Sequence, residues 1–273
     1  MTASSKIIFV GGHSKSGTTF IGRALGLFNE VCAKGEMDYF RQFFKKLNFA
    51  FDDYNTNIES VNREVYDGAG TLAPVSEPVM VGIHRLMFGQ LFQLGTPVPS
   101  DTRFLVEKSP YNIFLIEAIE AIFPGATIVA VYRNPKDVYR SLIRHLSDHR
   151  DPDHADMRSK VRRETRISFV NRWARLVGLI EKHRDRLVLV QYQRAADDTQ
   201  AFIEFARKEI FKEDLGLRAP VETLSKEYYL STLPEEARAK SLVQLEGHKV
   251  KLSKVEERII DRDCRAPKVA FDF

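Results

Sequence analysis

Apolar positions along the chain follow two spacings that take turns. The unbroken apolar run at 7–10 and the strongly apolar segments 103–108 (RFLVEK), 126–132 (ATIVAVY) and 187–192 (LVLVQY) read as buried strands, and 30–34 reads as a short further strand. Between them the apolar residues recur at helical spacing. Phe20, Ile21, Ala24, Leu25 and Phe28 form one such face, and Tyr39, Phe40, Phe43, Phe44 and Leu47 form another. A helix opening near Pro78 runs through Leu94 and is stopped by GTPVPSD. Further helices are predicted over 112–123, 136–145, 167–183, 199–210, 235–246 and 254–263. Strands separated by helices are the sequence form of a parallel sheet, because parallel neighbours need a crossover connection. The prediction is a three-layer α/β domain with a central parallel sheet flanked by helices. Residues 52–66 are polar and show neither spacing, and the charged stretch 147–166, with RDPDHAD in it, reads as a solvated surface loop or, alternatively, a mobile lid.

Composition changes this picture little. At 273 residues the chain suits one large α/β domain, 1–273, with no internal repeat and no linker-like tract. A net charge of +4 admits anionic substrates without indicating nucleic acid or a membrane surface. No signal-peptide core and no run of about 18 apolar residues is present, so a cytoplasmic protein without membrane insertion is the expectation. Cys32 and Cys264 lie far apart, match no metal or redox spacing, and are expected to be reduced structural thiols.

The candidate chemistry begins at KIIFVGGHSKSGTTF, residues 6–20. A buried strand runs into Gly11 and Gly12, and a helix begins after Gly17, so backbone N–H groups and a helix N-terminus converge as an anion site. Gly12 and Gly17 have the separation of G-x-x-x-x-G-K-[ST], and Thr19 takes the metal-binding hydroxyl position. Thr18, however, replaces the lysine, and a lysine stands inside the loop as Lys15. That pattern suits a nucleotide with a shorter 5′ chain than a triphosphate. A second anion site follows the strand 126–132, in YRNPKDVYRS. Asn134 and Pro135 form a helix start, Arg133 projects from the carboxyl end of the strand, and Ser141 lies two turns into the helix. A guanidinium fork and a hydroxyl suit a second phosphate.

SKSGTTF resembles the 5′-phosphosulfate loop, and YRNPKDVYRS the 3′-phosphate motif, of sulfotransferases that use 3′-phosphoadenosine 5′-phosphosulfate (PAPS). VEKSPYN at 106–112 is similar to the E-K-[ST]-P segment of heparan-type and bacterial carbohydrate sulfotransferases, and KGEMDYF lies where those enzymes carry a catalytic Glu. RLVLVQYQ resembles the family's late strand more weakly. The resemblance implies a P-loop-like fold and sulfuryl transfer to an acceptor hydroxyl on a carbohydrate, glycolipid or small molecule, with release of 3′,5′-adenosine bisphosphate (PAP). No metal is expected, since a sulfuryl group carries less charge than a terminal phosphoryl.

By the same resemblance Lys15 would neutralise the leaving group, Ser16, Gly17, Thr18 and Thr19 would hold the 5′-phosphate, and Arg133 and Ser141 the 3′-phosphate. Lys108 would contact the sulfuryl oxygens. Glu36 would be the general base, with Asp38, His84 and His13 as rivals. Trp173 reads as core, and Lys249 and Lys251 as lysines that could close over the nucleotide. Two other readings stand beside this one: a P-loop nucleoside or small-molecule kinase, favoured by the glycine spacing and Thr19, and a non-catalytic nucleotide-binding module.

Overall fold

The computed structural model describes residues 6–68, 70, 72–148, 155–224 and 251–273. Five strands form one parallel sheet: β1 (Lys6–Gly12), β2 (Val31–Lys34), β3 (Phe104–Lys108), β4 (Thr127–Tyr132) and β5 (Leu187–Gln191), in the order β2-β3-β1-β4-β5. Alternate residues of each strand serve opposite cores, which is why the runs are unbroken. Ile7, Phe9, Leu105, Ile128 and Leu189 enter one core, while Ile8, Val10, Val106, Val129 and Val190 enter the other.

The helices that cover these faces are α1 (Thr18–Leu25), α2 (Lys45–Glu64), α3 (Glu77–Gln93), α4 (Ile116–Ile122), α5 (Pro135–Asp148), α6 (Ala155–Lys182), α7 (Tyr192–Asp197), α8 (Thr199–Phe205) and α9 (Lys254–Asp263). Phe88, Ile119, Val138, Trp173 and Ile260 bring α3, α4, α5, α6 and α9 into the first core. Ile21, Ala195 and Phe202 bring α1, α7 and α8 into the second. Strand register then decides what meets at the carboxyl edge. Val10 lies opposite Lys108, and Gly12 opposite Val131. Lys34 lies opposite Glu107. The loop after β1, the lysine ending β3, the residues after β2 and Arg133 after β4 therefore share one edge.

The structure departs from the sequence prediction where burial does not announce itself. Residues 52–66 continue α2 as far as Glu64, although Ile58 is the helix's one buried residue. Side-chain amides substitute for an apolar stripe. Asn55 exchanges two hydrogen bonds with the Val75 backbone (3.0 and 2.6 Å), and Asn62 donates to the Leu72 carbonyl at 2.8 Å. The expected loop at 147–166 is likewise helical from Ala155, and Arg162 on that segment pairs with the buried Glu256. The prediction over 112–123 splits into a 3-10 turn, Pro110–Phe114, and α4, with Leu115 breaking helical geometry between them. Wider turns occupy Phe40–Phe44 before α2 and Ala206–Phe211 after α8. Residues 254–263 form α9, started by a reciprocal Ser253 and Glu256 cap. The helix predicted over 235–246, and Lys249, lie outside the described residues.

Candidate active site

The loop after β1 is built by glycines that other residues cannot replace. A Cβ on Gly12 would stand 2.5 Å from the Val131 carbonyl and 2.8 Å from Ser16 Oγ. Gly17 has φ of +99°, and a Cβ there would meet the Tyr192 ring at 2.0 Å. Lys15 is itself left-handed, with φ of 71°, and the Ser16 N–H closes the turn on the His13 carbonyl at 3.0 Å. Gly17 caps α1 without a side-chain acceptor, and the first turn holds no acidic residue. That terminus therefore suits an anion. Ser16 Oγ, inside the loop, is buried with no hydrogen-bond partner.

His13 turns away from chemistry. Its ring packs against Phe169 and Trp173, Nδ1–H donates to the Ser14 carbonyl at 2.7 Å, and burial holds its pKa down to about 4. Trp173 is core, as its spacing predicts, with its indole N–H bonded to the Arg265 carbonyl at 2.9 Å.

Lys108 and Glu36 meet. The Lys108 ammonium donates to Glu36 Oε1 at 2.7 Å, with the lysine side chain nearly buried and the carboxylate about half exposed. Gly22 lets α1 press on the Lys108 stem, since a Cβ there would stand 3.1 Å from Lys108 Cβ. The Lys15 ammonium is pushed below its usual pKa, chiefly by burial; Glu36 opposes the shift, and Arg144 and Lys108 add to it. These four charges therefore occupy one field.

The residue that organises this corner is Glu107, which the sequence reading passed over. Its buried carboxylate accepts from Ser109 Oγ, from Asn112 Nδ2 at 2.6 Å and from the backbone N–H groups of Met37 (3.1 Å) and Asp38 (3.3 Å). It thereby pins the chain just after Glu36. Burial raises its pKa while the four hydrogen bonds oppose that rise. Asp38, a rival base, has φ of 53°, pairs with Arg41, and donates its N–H to Ser109 Oγ at 2.9 Å. His84, another rival, is buried with both ring nitrogens engaged, by the Tyr39 hydroxyl and by Asn48 Oδ1, each at 2.8 Å.

Arg133 flanks the loop from β4. Its Nη1 donates to the Lys15 carbonyl at 3.4 Å, its guanidinium lies 4.7 Å from the Tyr192 ring centre, and its Nε is buried without a partner. Asn134 caps α5 through the Lys136 N–H at 2.9 Å. Beyond Arg133 opens a cleft of about 590 Å³ lined by Ser141, Arg140, Arg144 and Lys251. Arg144 and Tyr192 are additions to the expected set. Helical spacing from Ser141 would have found Arg144, whereas Tyr192 reaches the loop only through the fold.

Among the described residues, no group of three or more His, Cys, Asp or Glu is placed to hold a metal ion. Cys32 and Cys264 are both free thiols. No helix among the described residues is long and apolar enough to cross a membrane.

The family model described as "Sulfotransferase family" matches residues 8–204, a span that contains the loop, Glu36, Lys108, Arg133 and Ser141. The chain belongs to that family. No curated protein matches this sulfotransferase. Among solved structures it is similar to sulfotransferase STF1 of Mycobacterium tuberculosis H37Rv, at 15% identity and TM-score 0.47, covering 95% of this chain and 76% of that one. It is similar also to the sulfotransferase domain of the curacin biosynthetic pathway (14%, TM-score 0.47, covering 96% and 99%) and to sulfotransferase STF9 of Mycobacterium avium (14%, TM-score 0.47, covering 99% and 79%).

Proposed function

We propose that this sulfotransferase moves a sulfuryl group from PAPS to an acceptor hydroxyl on a carbohydrate, glycolipid or small molecule, releasing PAP, and that residues 1–273 act as one domain in the cytoplasm. The observation that carries the donor assignment is a pair of buried hydrogen-bonding atoms without partners, Ser16 Oγ and Arg133 Nε, one in the helix-terminus loop and one beside it. Buried polar atoms are rarely left unpaired, and two in one site fit an anionic ligand that completes them. Ser16, Gly17, Thr18 and Thr19 would hold a 5′-phosphate. Arg133 and Ser141, joined by Arg144 and Lys251 across the cleft, would hold a 3′-phosphate.

PAPS supplies the activated sulfuryl group when bound. Glu36 accepts the acceptor's proton on Oε2, its other oxygen being bonded to Lys108. The new bond joins the acceptor oxygen to sulfur, and the bond from sulfur to the 5′-phosphate oxygen breaks. Lys15 neutralises the charge left on that oxygen, and Lys108 steadies the sulfuryl oxygens. Tyr192, beside Gly17 and Arg133, offers an aromatic face to the nucleotide base.

Calorimetric titration with PAP and AMP tests the donor assignment. PAP is expected to bind at least about tenfold more tightly, and Arg133→Ala to erase the preference. Equal affinity for the two nucleotides overturns the roles of Arg133 and Ser141. Magnesium-dependent turnover of ATP would favour the kinase reading instead.

A further inference from the structure

A second cleft, of about 560 Å³, lies between α6 and the 3-10 turn that follows β3. Tyr111 and Phe114 come from the turn; Glu164, Ser168, Arg172 and Arg175 come from one face of α6, at spacings of four, four and three. The neighbouring face of the same helix carries Phe169, Trp173 and Leu176 into the core, so the polar stripe is held in fixed orientation.

Three observations join this cleft to the reacting edge. Tyr111 stands three residues past Lys108, so their Cα atoms are within about 11 Å. The Arg41 guanidinium lies 5.9 Å from the Tyr111 ring centre and pairs with Asp38, two residues from Glu36. Arg172 is close enough to His13, in the phosphate loop, for its charge to act on that ring.

The cleft's chemistry is selective. Arg175 lies over the Phe114 ring at 5.3 Å and donates to the Phe114 carbonyl at 3.4 Å, which fixes its fork. Arg172 makes no hydrogen bond or ion pair among the described residues, whereas Arg103, Arg184 and Arg265 each pair with a carboxylate. Glu164 is the one carboxylate in the lining against two guanidiniums, so the cleft keeps a positive excess. Aromatic rings and an unpaired guanidinium in one lining suit a ring-bearing molecule with an anionic group.

We propose that this cleft is the acceptor subsite, and that it selects acceptors in which an acidic group lies on or next to the ring bearing the reactive hydroxyl. The proposal rests on the sulfuryl-transfer reading for the word acceptor, but the selectivity can be measured without turnover. Two probes that differ by one carboxylate are 4-nitrophenyl β-D-glucuronide and 4-nitrophenyl β-D-glucoside. Titrated into the full chain loaded with PAP, the glucuronide is expected to bind about tenfold more tightly than the glucoside. Arg172→Gln should remove most of that difference and leave PAP and glucoside affinities unchanged, whereas Arg172→Lys should keep part of it. Glu164→Gln should widen it, an opposite sign that general loss of structure would not produce. Unchanged PAP affinity certifies that each variant is folded; if Arg172→Gln does not fold, Arg175→Gln and Glu164→Gln carry the same test. Equal binding of the two glycosides, no binding of either, or a preference that survives both arginine substitutions overturns the proposal. If PAP shows no advantage over AMP, the donor reading falls by itself. The glycoside titrations on the chain without PAP then decide the cleft alone.

Discussion

At the scale of residues, the Lys108–Glu36 pair carries the proposed chemistry. A lysine nearly buried at a strand end would ordinarily be costly. Here the Glu36 carboxylate offsets that cost while remaining about half exposed, as the proposed role of proton acceptor requires. Separate substitutions distinguish this from a structural ion pair. Glu36→Gln and Lys108→Met are each expected to lower kcat by about a hundredfold or more, with PAP affinity changed less than about threefold. Steady-state kinetics beside calorimetry reads both, and retained turnover in either variant removes that residue from the reaction. Arg133 was legible as a site candidate from the capped turn after its strand, and Glu36 and Lys108 from the resemblance of KGEMDYF and VEKSPYN to sulfotransferase segments. Glu107 was not, since a carboxylate inside a strand gives no sign of which backbone N–H groups it will meet.

At the scale of elements, the proposed phosphate loop is a strand, a turn with two left-handed residues, and a helix whose cap, Gly17, brings no side-chain acceptor. Its shape depends on Gly17 more than on any charge. Gly17→Ala would place a methyl group into the Tyr192 ring in a conformation that L-residues rarely adopt. It is expected to weaken PAP binding at least about tenfold, by moving Tyr192, Arg133 or the helix terminus. Calorimetry measures the loss, and wild-type affinity would show that the loop tolerates rearrangement. Helix α2 gives the opposite lesson. Its polar second half reads as nothing in particular, because hydrogen bonds from Asn55 and Asn62 replace the apolar stripe by which helices are found.

At the scale of the whole molecule, the two cores tie the anion loop to global stability. His13 sits in that loop but packs on α6, through Phe169 and Trp173. The unfolded chain takes up a proton on this histidine near its ordinary value of 6.5, the folded protein only near 4. The folded pKa is depressed, so the unfolded state binds the proton first as pH falls. The contribution is therefore absent as a penalty above about pH 6.5 and grows to ~3 kcal/mol of lost stability by pH 4. Urea unfolding between pH 7 and 4 should show a flatter pH dependence in His13→Gln than in the wild type; parallel profiles would contradict it. The C-terminal residues also act globally. Gln191 N–H donates to the Phe273 carbonyl at 2.7 Å, and Leu189 N–H to Asp272 Oδ2 at 2.7 Å, so the outer edge of β5 is covered.

The sequence by itself determined the strands and their parallel arrangement and marked two candidate anion sites, because apolar runs, glycine spacing and a capped Arg–Asn–Pro turn are local chemistry. It also placed Lys108 and Arg133 at strand ends and Lys15 inside the loop after the first strand. The tertiary structure decided what depends on register and packing between distant segments. It paired Lys108 with Glu36 across 72 positions, bound Glu107 to the backbone after β2, and brought Tyr192 onto Gly17. It engaged both nitrogens of His84 in the core and buried His13 as a neutral ring. It also set the Arg172 face of α6 against the turn after β3, since residues so far apart meet only when the sheet and its layers are complete.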